Sequence, residues 1–256
     1  MDEAEKLPFT AHLDELRKRL IVSFVAVGVG FAASYGFKEY LFQILVRPLA
    51  KVMEAGDTLI FTGLPEAFFT YLKVSFLSGL MLAAPVIIYQ FWMFVAPGLY
   101  DKEKRLLMPI IFLSTFFFLG GALFGYFIVF PWGFKFFLGF ATESIRPLPS
   151  MKEYLGFSAI VLSAFGLVFE LPLVLTFLAK LGIVSVEFLK KNRKYAVLLF
   201  FAGAAMITPP HVDTQVMMAL PLMLLYEISI IGARIFGKKK PEAEPEVEEA
   251  TGSDQQ

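Results

Sequence analysis

The chain has 256 residues, of which 57% are hydrophobic, 18% charged and 16% aromatic. Soluble domains carry roughly 45–50% apolar and about 25% charged residues, so thirty phenylalanines and a mean hydropathy of +0.67 exclude an ordinary water-facing fold. The 23 basic and 23 acidic residues cancel, leaving no global field for nucleic acid, and zero cysteines exclude disulfides, thiolate catalysis and cysteine-bound metal.

These values describe an integral membrane protein. Because lipid cannot satisfy an open strand edge, the spans are expected to be helical and the fold all-α and polytopic. Arg17, Lys18 and Arg19 precede the first apolar run, Leu20–Phe37. That run has no cleavage-like motif and further spans follow it, so it reads as a retained helix rather than a signal peptide. Lys38–Lys73 is mixed, with Tyr40, Leu41, Ile44, Leu45 and Leu49 at helical spacing. This predicts an amphipathic helix on the membrane surface, broken near Pro48.

The second span runs from Val74 to about residue 96 and ends in the aromatic segment Phe91–Tyr100, where Pro97 and Gly98 stop the helix. The third, about 106–130, contains Gly121-Ala-Leu-Phe-Gly125, a small-xxx-small pattern that permits close helix packing. A segment punctuated by Pro147 and Pro149 leads into the fourth span, about 154–179, interrupted only by Glu170. The fifth and sixth, about 195–208 and 214–233, flank Thr208-Pro209-Pro210, and Glu227 interrupts the last. Both final spans are expected to be short. Tyr195–Ile207 covers only roughly 20 Å at 1.5 Å per residue, against a hydrocarbon core of about 30 Å. Residues 1–237 therefore read as one membrane domain with six spans, and 238–256 as a disordered tail, basic and then acidic. Of the 23 Lys and Arg residues, sixteen fall on the N-terminal side of this topology and seven on the other, which puts both termini in the cytoplasm.

Glu170 is the first functional candidate, because a carboxylate inside a span is expensive. It lies roughly 14 Å in from Ala179 at 1.5 Å per residue, and no basic residue shares its span. A neutral acid hydrogen-bonded to a neighbouring helix is the plain alternative. Near the N-terminus, Thr10 can cap a helix carrying Asp14 and Glu15, and Glu15 and Arg19 stand four apart in the favourable order. His12 and His211 have no metal-ligand spacing. Zinc-protease, nucleophile-elbow and phosphate-loop motifs are absent, so neither hydrolysis nor ATP-driven transport is supported.

Several motifs, in order, resemble those of the TatC family, the multi-spanning subunit of the twin-arginine protein translocase. They are His12-Leu-x-Glu-Leu-Arg-x-Arg-Leu, Ala84-Pro-Val-Ile-x-Tyr-Gln-Phe-Trp-x-Phe-x-x-Pro-x-Leu-Tyr, Glu103-x-Arg105, Ala164-Phe-Gly-x-x-Phe-Glu-x-Pro, Thr208-Pro-Pro, Gln215 and Tyr226-Glu-Ile. The resemblance covers Leu7–Phe236. It implies a cupped, six-helix, non-enzymatic receptor in the cytoplasmic (inner) membrane, without cofactor, catalytic residue or metal. Such a receptor binds twin-arginine signal peptides and assembles in the lipid with single-span TatA and TatB partners. The proton-motive force then drives transport of folded proteins.

On that resemblance Glu15 and Glu103 match the recognition glutamates, with Arg17 and Phe94 in neighbouring functional positions, Arg17 orienting Glu15. Glu170 matches the intramembrane glutamate and would dock a partner helix. Pro209 and Pro210 form the structural turn. The family has Asp immediately after that turn, where this chain has His211; Asp213 lies two positions on. The competing class is a proton-coupled secondary transporter with Glu170 as its proton carrier. A passive scaffold, the third class, needs no intramembrane acid.

Overall fold

The computed structural model describes residues 9–54, 57–96, 107–142, 146–207 and 211–237. Glu103, Pro209, Pro210 and the tail 238–256 lie outside the described residues. Among those described, every regular element is helical. In chain order they are α1 (Phe9–Tyr35), α2 (Lys38–Ala50), α3 (Glu66–Val95), α4 (Leu107–Phe124), a π-helical turn (Gly125–Val129), α5 (Phe130–Leu138), α6 (Met151–Phe169), α7 (Leu171–Leu181), α8 (Val186–Lys191), α9 (Arg193–Ile207) and α10 (Val212–Phe236).

Among the described residues, four stretches are long and apolar enough to cross a membrane: Glu66–Val95, Leu107–Leu138, Met151–Leu181 and Val212–Phe236. The chain is thus a multi-pass membrane protein. α1 and α2 satisfy the same criterion as a pair bent by 88°. α1 begins at Phe9, well ahead of the apolar run, so the charged turn from His12 to Arg19 is helical and continuous with the first span. The large side chains left exposed on the outside, such as Phe24, Phe112 and Phe116, suit a lipid solvent.

Three sequence expectations are corrected. α2 does not break at Pro48 but continues to Ala50. Proline at 48 removes the N–H that would bond the Ile44 carbonyl, and that carbonyl instead accepts from the Tyr126 hydroxyl at 2.5 Å. Next to it, Tyr154 donates to the Leu45 carbonyl at 2.5 Å, so two tyrosines tie the surface helix to the bundle. The third span does not stop near residue 130; it widens into the π turn and continues to Leu138. Pro131, whose ring opposes the carbonyl four residues back, accounts for the wider turn. Finally, only α9, with 15 residues, is short. α10 has 25 and runs on to Phe236 through Glu227, which pairs with Arg193 at 2.8 Å.

The largest core lies at the α2 end, where Leu45, Leu49, Val74, Phe130, Leu155 and Phe165 meet. A second joins α7 to α10 through Ala179, Leu189, Phe200, Tyr226 and Ile230. Lipid tails are as apolar as leucine, so close packing rather than water expulsion must hold the helices together. Glycines supply that packing. Gly121 lies against the Phe165 carbonyl, which an added Cβ would approach to 2.3 Å, as the small-xxx-small pattern predicts. Gly30 of α1 and Gly79 of α3 meet backbone to backbone, each approached by the other to 2.5–2.7 Å if a Cβ is added.

At the end opposite the N-terminus, Glu66 opens α3 and clasps two loops together. One carboxylate oxygen accepts from Thr62 N (2.8 Å), Thr62 Oγ1 (3.1 Å) and Gly63 N (3.2 Å). The other accepts from Ser150 Oγ (2.6 Å) and Lys152 N (3.0 Å). A parallel bridge between Ile60 and Ser150 completes the clasp. Hydropathy reading begins this helix eight residues later and has no signal for it.

Candidate functional site

The antiparallel pairing of α1 with α3 builds a polar surface at the N-terminal end of the bundle. Arg19 donates through Nη2 to Glu15 at 2.9 Å and through Nη1 to Gln90 of α3 at 3.0 Å. Glu15 and Arg19 stand one helical turn apart, so the pair forms on α1 itself and then reaches across to α3. Both side chains keep about a quarter of their surface exposed, 23% for Glu15 and 25% for Arg19. The Glu15 carboxylate is therefore oriented without being sealed.

Beside it, the His12 ring stacks on Phe94, with centroids 4.3 Å apart and planes inclined by 20°. The structure thus brings together Glu15 and Phe94, two of the predicted residues, through contacts that sequence spacing does not display. It assigns the orienting role differently from the sequence reading: Arg19, not Arg17, holds Glu15, while Arg17 points outward and is exposed. On the helix Arg17 is only two positions from Glu15, the wrong spacing for a shared face. Glu103, the remaining recognition candidate, lies outside the described residues.

The second site surrounds Glu170. Pro172 deprives Val168 of its helical hydrogen-bond donor and splits the predicted fourth span into α6 and α7, with Glu170 at the junction. Its Oε2 accepts from Ser114 Oγ of α4 at 2.5 Å, and Ser114 Oγ accepts from Trp92 Nε1 of α3 at 3.3 Å. Trp92 is itself fixed edge-on against Phe177 of α7, at 4.8 Å and 86°. Four helices therefore converge on this carboxyl. Oε1 is buried and has no hydrogen-bond partner among the described residues. Sequence reasoning identified Glu170 but missed Ser114 and Trp92; a serine inside an apolar run is the signal that could have suggested the first.

At the predicted structural turn, Pro209 and Pro210 lie outside the described residues, while His211, in extended conformation, immediately precedes α10. Its ring lies 5.5 Å from those of both Phe136 and Phe140, joining the turn to α5. Asp213 is exposed in the first turn of α10, where a negative charge complements the helix dipole. Gln215 donates to the Phe201 carbonyl at 2.9 Å and holds α9 against α10.

Comparison with known proteins agrees with this arrangement. The family model for TatC, described as Sec-independent protein translocase protein (TatC), matches residues 11–221. The TatC of Desulforapulum autotrophicum is 68% identical over 247 residues, covering 96% of this chain and 92% of that protein. The TatC of Aquifex aeolicus is 42% identical over 238 residues, covering 92% and 98%. A crystal structure described as the twin arginine translocase receptor TatC superposes with a TM-score of 0.78 at 42% identity, covering 88% of this chain and 98% of that one. With a family model spanning most of its length and relatives matching nearly end to end, this chain belongs to the TatC family of Sec-independent protein translocase proteins.

Proposed function

We propose that the chain is the receptor and core subunit of a twin-arginine translocase, not an enzyme. Residues 1–237 form its single membrane domain, with six spans and both termini in the cytoplasm of a cell with an inner membrane. Glu15 and Glu103 receive the two arginines of a signal peptide, with Phe94 offering apolar surface and Arg17 lying nearby. Glu170 docks the membrane helix of a TatA- or TatB-type partner, and the proton-motive force drives passage of folded cargo.

The observation that carries this reading is the partly exposed Glu15 carboxylate, held by Arg19, which Gln90 braces from α3, beside the stacked rings of His12 and Phe94. A guanidinium presents a planar fork that a carboxylate accepts through two parallel bonds, whereas an ammonium is a point charge. Glu103→Gln and Glu15→Gln keep shape and remove charge. Each should weaken binding of a twin-Arg signal peptide by roughly tenfold or more, the scale of a lost charged hydrogen bond, and weaken a twin-Lys peptide far less. Equal losses for both peptides, measured by titration of the purified chain, would assign the glutamates to receptor stability instead.

A proton-coupled solute transporter is the weaker reading. It needs a path of polar groups, whereas Glu170 meets Ser114 and Trp92 beside an apolar cluster. The topology has its own test. Single cysteines at Ile207 and Val212, in a chain with no native cysteine, should react with a membrane-impermeant thiol reagent from outside the cell. Reaction from the cytoplasmic side would overturn the orientation.

A further inference from the structure

We infer that the groove bounded by α2, α3, α4 and the π turn binds one anionic glycerophospholipid from the leaflet on the α2 side. Two hollows make up this groove. The larger, about 630 Å³, is apolar and lined by Leu41, Leu77, Pro85 and Leu123, among others. The smaller, about 290 Å³, lies between Arg47, Lys51 and Pro131. Ile44, Tyr126 and Phe127 line both, so the two adjoin.

Charge selects the head of the ligand. Arg47 and Lys51 are both exposed and stand one turn apart on the C-terminal part of α2. Neither has an acidic partner among the described residues. The nearby acids Glu54 and Asp57 line a separate hollow with Arg146. Two unneutralised cations at the mouth of an apolar groove complement a phosphate on an acyl chain. Phe127 and Trp132, 67% and 66% exposed, mark the interfacial level expected for the headgroup.

Size argues for an acyl chain over a partner helix. On α3 the groove runs from Val74 to Pro85, about 16 Å at 1.5 Å per residue and half of a hydrocarbon core of about 30 Å. A spanning partner helix needs a seat along the whole core, whereas one lipid tail occupies a single leaflet, about half of it. The π turn has a local purpose here: it aims the Tyr126 hydroxyl at the Ile44 carbonyl and leaves the adjoining Phe127 ring at the junction of the hollows.

Native mass spectrometry of the full chain in mild detergent tests this, using phosphatidylglycerol and phosphatidylcholine with identical acyl chains at equal concentration. Each cation near a lipid surface favours an anionic lipid by about fivefold, so the pair should give a preference on the order of 25-fold. Arg47→Gln combined with Lys51→Gln should reduce it below about twofold, while Arg47→Lys, which keeps the charge and controls for folding, should preserve it. Leu82→Trp, at a groove residue 64% exposed, should lower retention of both lipids. Inorganic phosphate should not displace phosphatidylglycerol; displacement would reduce the site to a bare anion site. Equal retention of the two lipids by the unmodified chain, or a preference that survives loss of both cations, overturns the proposal. So does crosslinking of a photoreactive group at Leu123 to a polypeptide instead of lipid.

Discussion

Gly79→Ala should destabilise the protein by about 1–3 kcal/mol, the usual cost of overpacking a close-packed site, and lower its thermal midpoint in detergent. The added Cβ would stand 2.5 Å from Phe31 N and 2.7 Å from the Gly30 carbonyl carbon. Those are backbone atoms of a helix, which cannot rotate aside as a side chain does. Relief requires α1 and α3 to move apart, and their contact also aligns Arg19 with Gln90 and His12 with Phe94. The variant should therefore lose signal-peptide binding together with stability. Gly28→Ala is the control. An added Cβ there meets nothing within 4 Å, and replacing glycine inside a helix should gain roughly 0.5–1 kcal/mol. A midpoint for Gly79→Ala at or above that of the unmodified chain would show that the α1–α3 contact does not limit stability.

Glu170→Ala should separate partner docking from signal-peptide binding. Oε2 is committed to Ser114, while Oε1 is buried without a partner among the described residues. On the docking proposal, a polar side chain of an incoming helix supplies that partner. Interhelical hydrogen bonds in membranes contribute about 0.6–2 kcal/mol, so loss of the carboxyl should reduce crosslinking to a TatA- or TatB-type helix by about 3- to 30-fold. Transport should fall with it while peptide binding persists, because Arg19 and Gln90, which hold the Glu15 surface, do not hydrogen-bond to Glu170 or Ser114. Glu170→Gln keeps an acceptor for Ser114 and a donor at the open position, so it should retain most of both activities. If alanine leaves crosslinking and transport intact, the docking role is wrong. If glutamine fails as badly as alanine, ionisation or proton transfer at this carboxyl is the better account.

The two candidate sites were unequally legible in the sequence. Glu170 stands out because a charge inside an apolar run needs no structural context to be conspicuous. Glu15 and Phe94 emerged only through the family resemblance, since an exposed i,i+4 pair and an interfacial aromatic are individually commonplace. Their shared surface depends on Arg19 reaching Gln90, 71 positions away.

Hydropathy and charge alone determined that this chain is helical, lies in a membrane and crosses it several times. Those are local properties: each apolar run must satisfy its own backbone hydrogen bonds in lipid, whatever its neighbours do. The tertiary structure alone decided where helices continue, widen or break. Pro48 stays within α2 because Tyr126, 82 positions from Ile44, supplies the missing donor. Within α10, Glu227 meets Arg193 across 34 positions. Glu170 acquires its partner from Ser114, 56 positions away. A proline, a carboxylate or a freed carbonyl has a cost that the sequence displays, but whether that cost is met depends on which distant side chain packing brings within hydrogen-bond reach.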